Sequence, residues 1–184
     1  FPEQYMTYSF GRVVICSQDA VDAIHRANAD ENVGAVIDST GKVIWERGVK
    51  ANRTTIAGIS PVVSAGQNGL QAALKMIFAY EGFDIDTSGI TFENKSVSEW
   101  MEQFLKVSAL ELKGASLDEV LYYVYKKYPV IALPGEDKVL LITGYDQTSV
   151  ELMDPLYGTS QKIEKEEAEE LFEDSGNVFF TYID

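Results

Sequence analysis

Apolar and polar positions switch between helical and strand periods along this 184-residue chain. Residues 5–16 (YMTYSFGRVVIC) are dense in aromatic and β-branched side chains, which predicts one strand. Ser17 is a predicted N-cap, and Ala20, Val21, Ala23, Ile24 and Ala27 recur at helical spacing through about Ala29. Ala35-Val36-Ile37 and Val43-Ile44-Trp45 flank Ser39-Thr40-Gly41, the pattern of a hairpin. Residues 1–57 therefore read as a small β-α-β-β unit, whose more polar end from about residue 49 serves as a connector.

Three helices follow. Leu70, Ala73, Leu74, Ile77 and Phe78 mark a helix over Asn68 to Glu81 that stops at Gly82. Ser96 with Glu99, and Ser116 with Glu119, have the spacing of capping boxes that open two more. The period then becomes that of strands over Pro129–Leu133, Lys138–Tyr145, Ser149–Met153 and Asn177–Ile183. A turn is expected at Asp146–Thr148, and an acidic amphipathic helix at 161–173. Helices followed by an antiparallel sheet give an α+β class for residues 58–184.

Charge narrows the partners. With 29 acidic against 15 basic residues the net charge is −14, which repels nucleic acid and anionic lipid. No apolar run is long enough to insert in a membrane. A polypeptide or another protein domain is the expected partner. The single cysteine forms no internal disulfide, and the start at Phe1-Pro2-Glu3 without Met suggests a processed or excised piece. An extracellular or envelope location is expected, with the cytoplasm as the alternative.

Three segments carry a resemblance. They are Gly69-Leu70-Gln71-Ala72-Ala73-Leu74-Lys75-Met76 with Tyr80-Glu81-Gly82; Ser116–Glu119 through Tyr128-Pro129-Val130-Ile131; and Val139–Asp146 with Met153-Asp154-Pro155 and Gly158. In order and spacing residues 58–184 resemble the bacteriocin-processing peptidases, which cleave after double-glycine leaders and have a papain-like fold. That family shows Cys-Gly-Pro-Ala-Ala-Leu-x-Met at the first segment, a His ahead of the third, and the Asp of Asp-Pro to orient it. The resemblance implies that Gly69 stands at the cysteine position, Lys138 at the histidine position and Asp154 at the orienting carboxylate.

A thiol peptidase needs a thiolate, an imidazole to take its proton and a group to orient the imidazole. Gly69 has no side chain, Leu70 one residue on is inert, and lysine is a cation at neutral pH. The expectation is a pseudo-peptidase with no catalytic residue, no cofactor and no metal. Gln67, Asn68, Lys138 and Asp154 are then candidates to line a surviving cleft, with Lys138 able to pair with Asp154. Three functions stay open: a peptide- or protein-binding module, a structural domain of a larger exported bacterial protein, or a hydrolase with relocated residues.

Weaker signals have plainer readings. Cys16 and His25 read as a half-buried thiol and a helix-face imidazole, nine residues apart. A Ser64–Lys138 pair is conceivable, but Ser64 reads as part of a turn. Asp84-Ile85-Asp86-Thr87-Ser88-Gly89 begins like a calcium loop, yet the twelfth position is Lys95 rather than the needed Glu. Tyr122, Tyr123, Tyr125 and Tyr128 read as core and rim packing.

Overall fold

The computed structural model describes residues 5–9, 12–61 and 68–184. The chain separates into two compact units, Phe1–Ala51 and Asn52–Asp184.

The first unit comprises β1 (Tyr5–Ser9), β2 (Arg12–Ser17), α1 (Ala20–Ala29), β3 (Ala35–Ile37) and β4 (Val43–Glu46), with sheet order β2-β1-β3-β4. All pairings are antiparallel. The single strand expected over 5–16 is instead a hairpin, with Ser9 facing Arg12, so the unit is ββαββ rather than β-α-β-β. Gly11, a turn signal inside the aromatic run, is the residue that should have divided it. Ala20, Val21, Ala23, Ile24 and Ala27 form the buried face of α1, joined in the core by Val33, Val36 and Ile44. Asp19, not Ser17, caps the helix by accepting from the Val21 N–H at 3.0 Å. The Ser17 hydroxyl donates to Asp22 at 2.8 Å. Cys16 is exposed on β2 and His25 is exposed on α1.

The second unit holds β5 (Thr54–Thr55), α2 (Gly69–Tyr80), α3 (Val97–Leu105), β6 (Ser108–Glu111), α4 (Leu117–Tyr125), β7 (Val130–Gly135), β8 (Lys138–Tyr145), β9 (Ser149–Asp154), β10 (Thr159–Glu164), α5 (Lys165–Glu173) and β11 (Phe179–Ile183). Its sheet runs β10-β9-β8-β7-β11-β6, antiparallel throughout. β5 pairs with Gly144 and Tyr145 of β8, beyond the stretch that β7 covers. Residues 52–57, read from sequence as connector, thus include a short strand of this sheet.

Both serine capping boxes form, and α2 has a third, from Asn68 and Gln71. Each satisfies two otherwise orphaned N–H groups. Ser116→Ala should cost about 1 kcal/mol. A urea titration checks it, and an unchanged midpoint would show that the cap is dispensable. Residues 161–164, expected as helix, form the edge strand β10, because helix-forming Lys and Glu continue across the strand–helix junction. Tyr122 and Tyr123 are core residues, 5% and 0% exposed. Tyr182 donates to Glu81 Oε1 at 2.6 Å, tying the last strand to the end of α2. Burial, then this bond to the Glu81 carboxylate, push the Tyr182 phenol far above its ordinary pKa, so it stays a donor.

Candidate functional site

The N-terminus of α2 is where the resemblance calls for a nucleophile. Asn68 Oδ1 accepts from the Gln71 N–H at 2.9 Å, and Gln71 Oε1 accepts from the Asn68 N–H at 3.0 Å. Asn68 is therefore committed to the helix cap. Gln71 Nε2 also donates to the Ile90 carbonyl at 2.8 Å, and Thr87 Oγ1 donates to the Gln71 carbonyl at 2.8 Å. These bonds fasten the 84–90 loop to the helix start. In that loop Asp86 accepts from the Ser88 N–H at 2.9 Å, a local side-chain turn. Gln67 and Ser64 lie outside the described residues.

Gly69, the first residue of α2, is buried. A Cβ added there would lie 2.8 Å from Val139 Cγ2 and 3.0 Å from Val139 Cβ. Any side chain at position 69 would therefore have to displace Val139, which is held stiffly by its branched Cβ.

Val139, rather than Lys138, faces Gly69. Strand alternation turns Lys138 to the other face of the sheet. There Lys138, Leu140, Leu152, Asp154, Thr159 and Gln161, from three adjacent strands, line a shallow groove of about 170 Å³. A neighbouring hollow of about 420 Å³ is lined by Asp137, Lys138, Val139, Asp154, Leu156 and Tyr157. The fold thus brings Lys138 and Asp154 together and leaves Gly69 against the opposite face. Among the described residues no ion pair joins Lys138 to Asp154. The Asp154 carboxylate accepts from the N–H groups of Leu156 at 2.9 Å and Tyr157 at 3.4 Å. These bonds shape a turn that leaves the Tyr157 side chain 75% exposed at the rim of the hollow.

Sequence reasoning missed Val139 and Tyr157. Alternation along β8 puts 138 and 139 on opposite faces, and only the packing of α2 shows that Val139 is the one against Gly69. Nothing in the sequence around Tyr157 marks it.

No protein-family model matches the chain, and no curated protein matches it. Among solved structures, a protein of Bacillus anthracis assigned as a C39-like peptidase is similar, with a TM-score of 0.59 and 17% identity. The match covers 73% of this chain and 98% of that one. At this identity the likeness speaks for the fold: the chain contains a peptidase-like α+β domain.

Proposed function

We propose that the second unit is a peptidase-like domain without catalytic activity, serving as a peptide- or protein-binding module of a larger exported bacterial protein. The observation that carries this reading is the closure of the α2 N-terminus by Gly69 on Val139, with 3.0 Å left for a Cβ pair. Composition agrees: the chain's one cysteine and one histidine, Cys16 and His25, both belong to the first unit. Neither a thiolate nor an imidazole is available within residues 52–184 to attack a carbonyl or to take a proton.

What remains useful is the hollow beside the closed site. It offers a cation at Lys138, carboxylates at Asp137 and Asp154, and the aromatic ring of Tyr157 standing in solvent. An exposed tyrosine on a turn braced by hydrogen bonds is the kind of side chain that anchors a peptide. The bacteriocin-processing resemblance points to extended leader-type segments, held without being cut.

Fluorescence anisotropy with labelled peptides ending in Gly-Gly tests this. Saturable binding is expected, weakened about 10-fold by Tyr157→Ala, a loss of about 1.4 kcal/mol. Lys138→Glu should weaken peptides with acidic side chains selectively. Binding that ignores both substitutions would remove this hollow as the site.

A further inference from the structure

A second cleft lies at the other end of β8, about 20 Å along the strand from Val139. Its volume is about 360 Å³, and Arg53, Thr54, Thr55, Lys127, Tyr145, Asp146, Glu151 and Lys162 line it. An adjoining hollow of about 430 Å³ shares Arg53 and Asp146. On a chain of net charge −14, three cations converge here against two carboxylates.

The carboxylates are already engaged. Asp146 Oδ2 pairs with Lys162 Nζ at 2.7 Å. Asp146 Oδ1 accepts from the Thr148 and Ser149 N–H groups at 2.9 and 2.8 Å and from Ser149 Oγ at 2.8 Å. The Lys162 bond first, then the Ser149 and Thr148 bonds, hold this carboxyl well below the usual range, so it is ionised near neutral pH. Glu151 accepts from Thr55 Oγ1 at 3.2 Å and lies over Gly144, where a Cβ would be 2.2 Å from its Oε2.

Lys127 is fixed as well. It follows the C-cap of α4 with φ +72°, a position where glycine is usual. Its ammonium donates to Thr54 Oγ1 and to the Thr55 carbonyl, the latter at 3.1 Å, leaving one of three N–H groups unused. Arg53 makes no hydrogen bond or ion pair with any described residue. Its five donors stand at the junction of the two hollows, beside two anchored ammonium groups.

We propose that this cleft is an oxyanion site, taking a small carboxylate or phosphate ligand with the Arg53 fork as its main contact and Lys127 and Lys162 as flanking charges. A guanidinium matches a planar or tetrahedral oxyanion through two parallel N–H···O bonds, which an isolated ammonium cannot do. The site is independent of the closed α2 N-terminus and of any peptide bound near Tyr157.

Calorimetry on the full chain, at constant ionic strength, with inorganic phosphate in one arm and succinate in the other, tests it. Saturable binding with a Kd of about 1 mM is expected in at least one arm, as for a small exposed site. A response to phosphate alone would make the ligand a phosphoryl group, and a response to succinate alone a carboxylate. Arg53→Ala should weaken binding at least about 10-fold, the loss of one charge-assisted bidentate pair. Because Arg53 is exposed and unpaired, its replacement should leave the thermal midpoint in place. Absence of saturable binding in both arms overturns the proposal. So does binding that Arg53→Ala leaves unchanged.

Discussion

Replacing Gly69 by cysteine should destabilise the second unit by about 1–3 kcal/mol and create no thiol peptidase. The new Cβ falls 2.8 Å from Val139 Cγ2 and 3.0 Å from Val139 Cβ, so α2 and β8 must part by several tenths of an ångström. Helix propensity works the other way, since glycine is a poor helix residue, but that gain is only about 0.3–0.5 kcal/mol. Overpacking wins. Gly69→Ala should meet the same clash, because it belongs to Cβ and not to sulfur, but lose about 0.5 kcal/mol less, since alanine is the better helix residue. Val139→Ala removes the nearer of the two contacts and should recover part of the loss in a double-mutant cycle. Urea midpoints measure each of these proteins, and iodoacetamide alkylation rates report whether the new thiol is activated. A Gly69→Cys protein as stable as its parent would show that the helix start is open after all.

Arg47→Ala should destabilise the first unit by about 2–3 kcal/mol. Arg47 Nε donates to the Val33 carbonyl at 2.9 Å, and Nη2 donates to the carbonyls of Asn28 at 3.1 Å, Asp30 at 2.9 Å and Ala27. The guanidinium thereby satisfies carbonyls at the C-terminal end of α1, where a cation is also favoured by the helix dipole. It sits over the Trp45 ring as well, 5.7 Å from the centroid. Removing it leaves several acceptors without donors and uncovers an aromatic face. Arg47→Lys keeps the charge but not the fork, so it should restore less than half of the loss. Hydrogen exchange of the α1 amides is the readout, because it reports this unit separately. Protection unchanged to within about 0.5 kcal/mol would mean that solvent serves these carbonyls equally well.

Much of this architecture is legible in the amino acids, and the reasons differ by element. The serine boxes at Ser96 and Ser116 are local chemistry, so helix starts follow from spacing alone. Lys138–Tyr145 is legible because a buried strand is apolar on both faces over most of its length. β6 was missed: Ser108-Ala109-Leu110-Glu111 carries no β-branched residue, and its strand state comes from pairing with β11. β10 was hidden by helix-forming residues that only tertiary pairing with β9 overrides. The place of Gly69 at a helix start was readable, whereas its partner was not. Val139 and Lys138 are adjacent in sequence and opposite in direction, and only the packing of α2 selects one of them. The Arg53 cleft draws on β5, α4, β8, β9 and β10, a convergence that no local pattern announces.

Hydrolysis of peptides by the purified chain is the most direct test of the closed site. The full chain should be incubated with a complex peptide mixture at neutral pH and the products read by mass spectrometry. No new termini above background are expected, with or without reducing agent. Cleavage that persists in a Cys16→Ser, His25→Ala protein and vanishes on a substitution within residues 52–184 would contradict the closure of the α2 N-terminus as the end of catalysis in this fold.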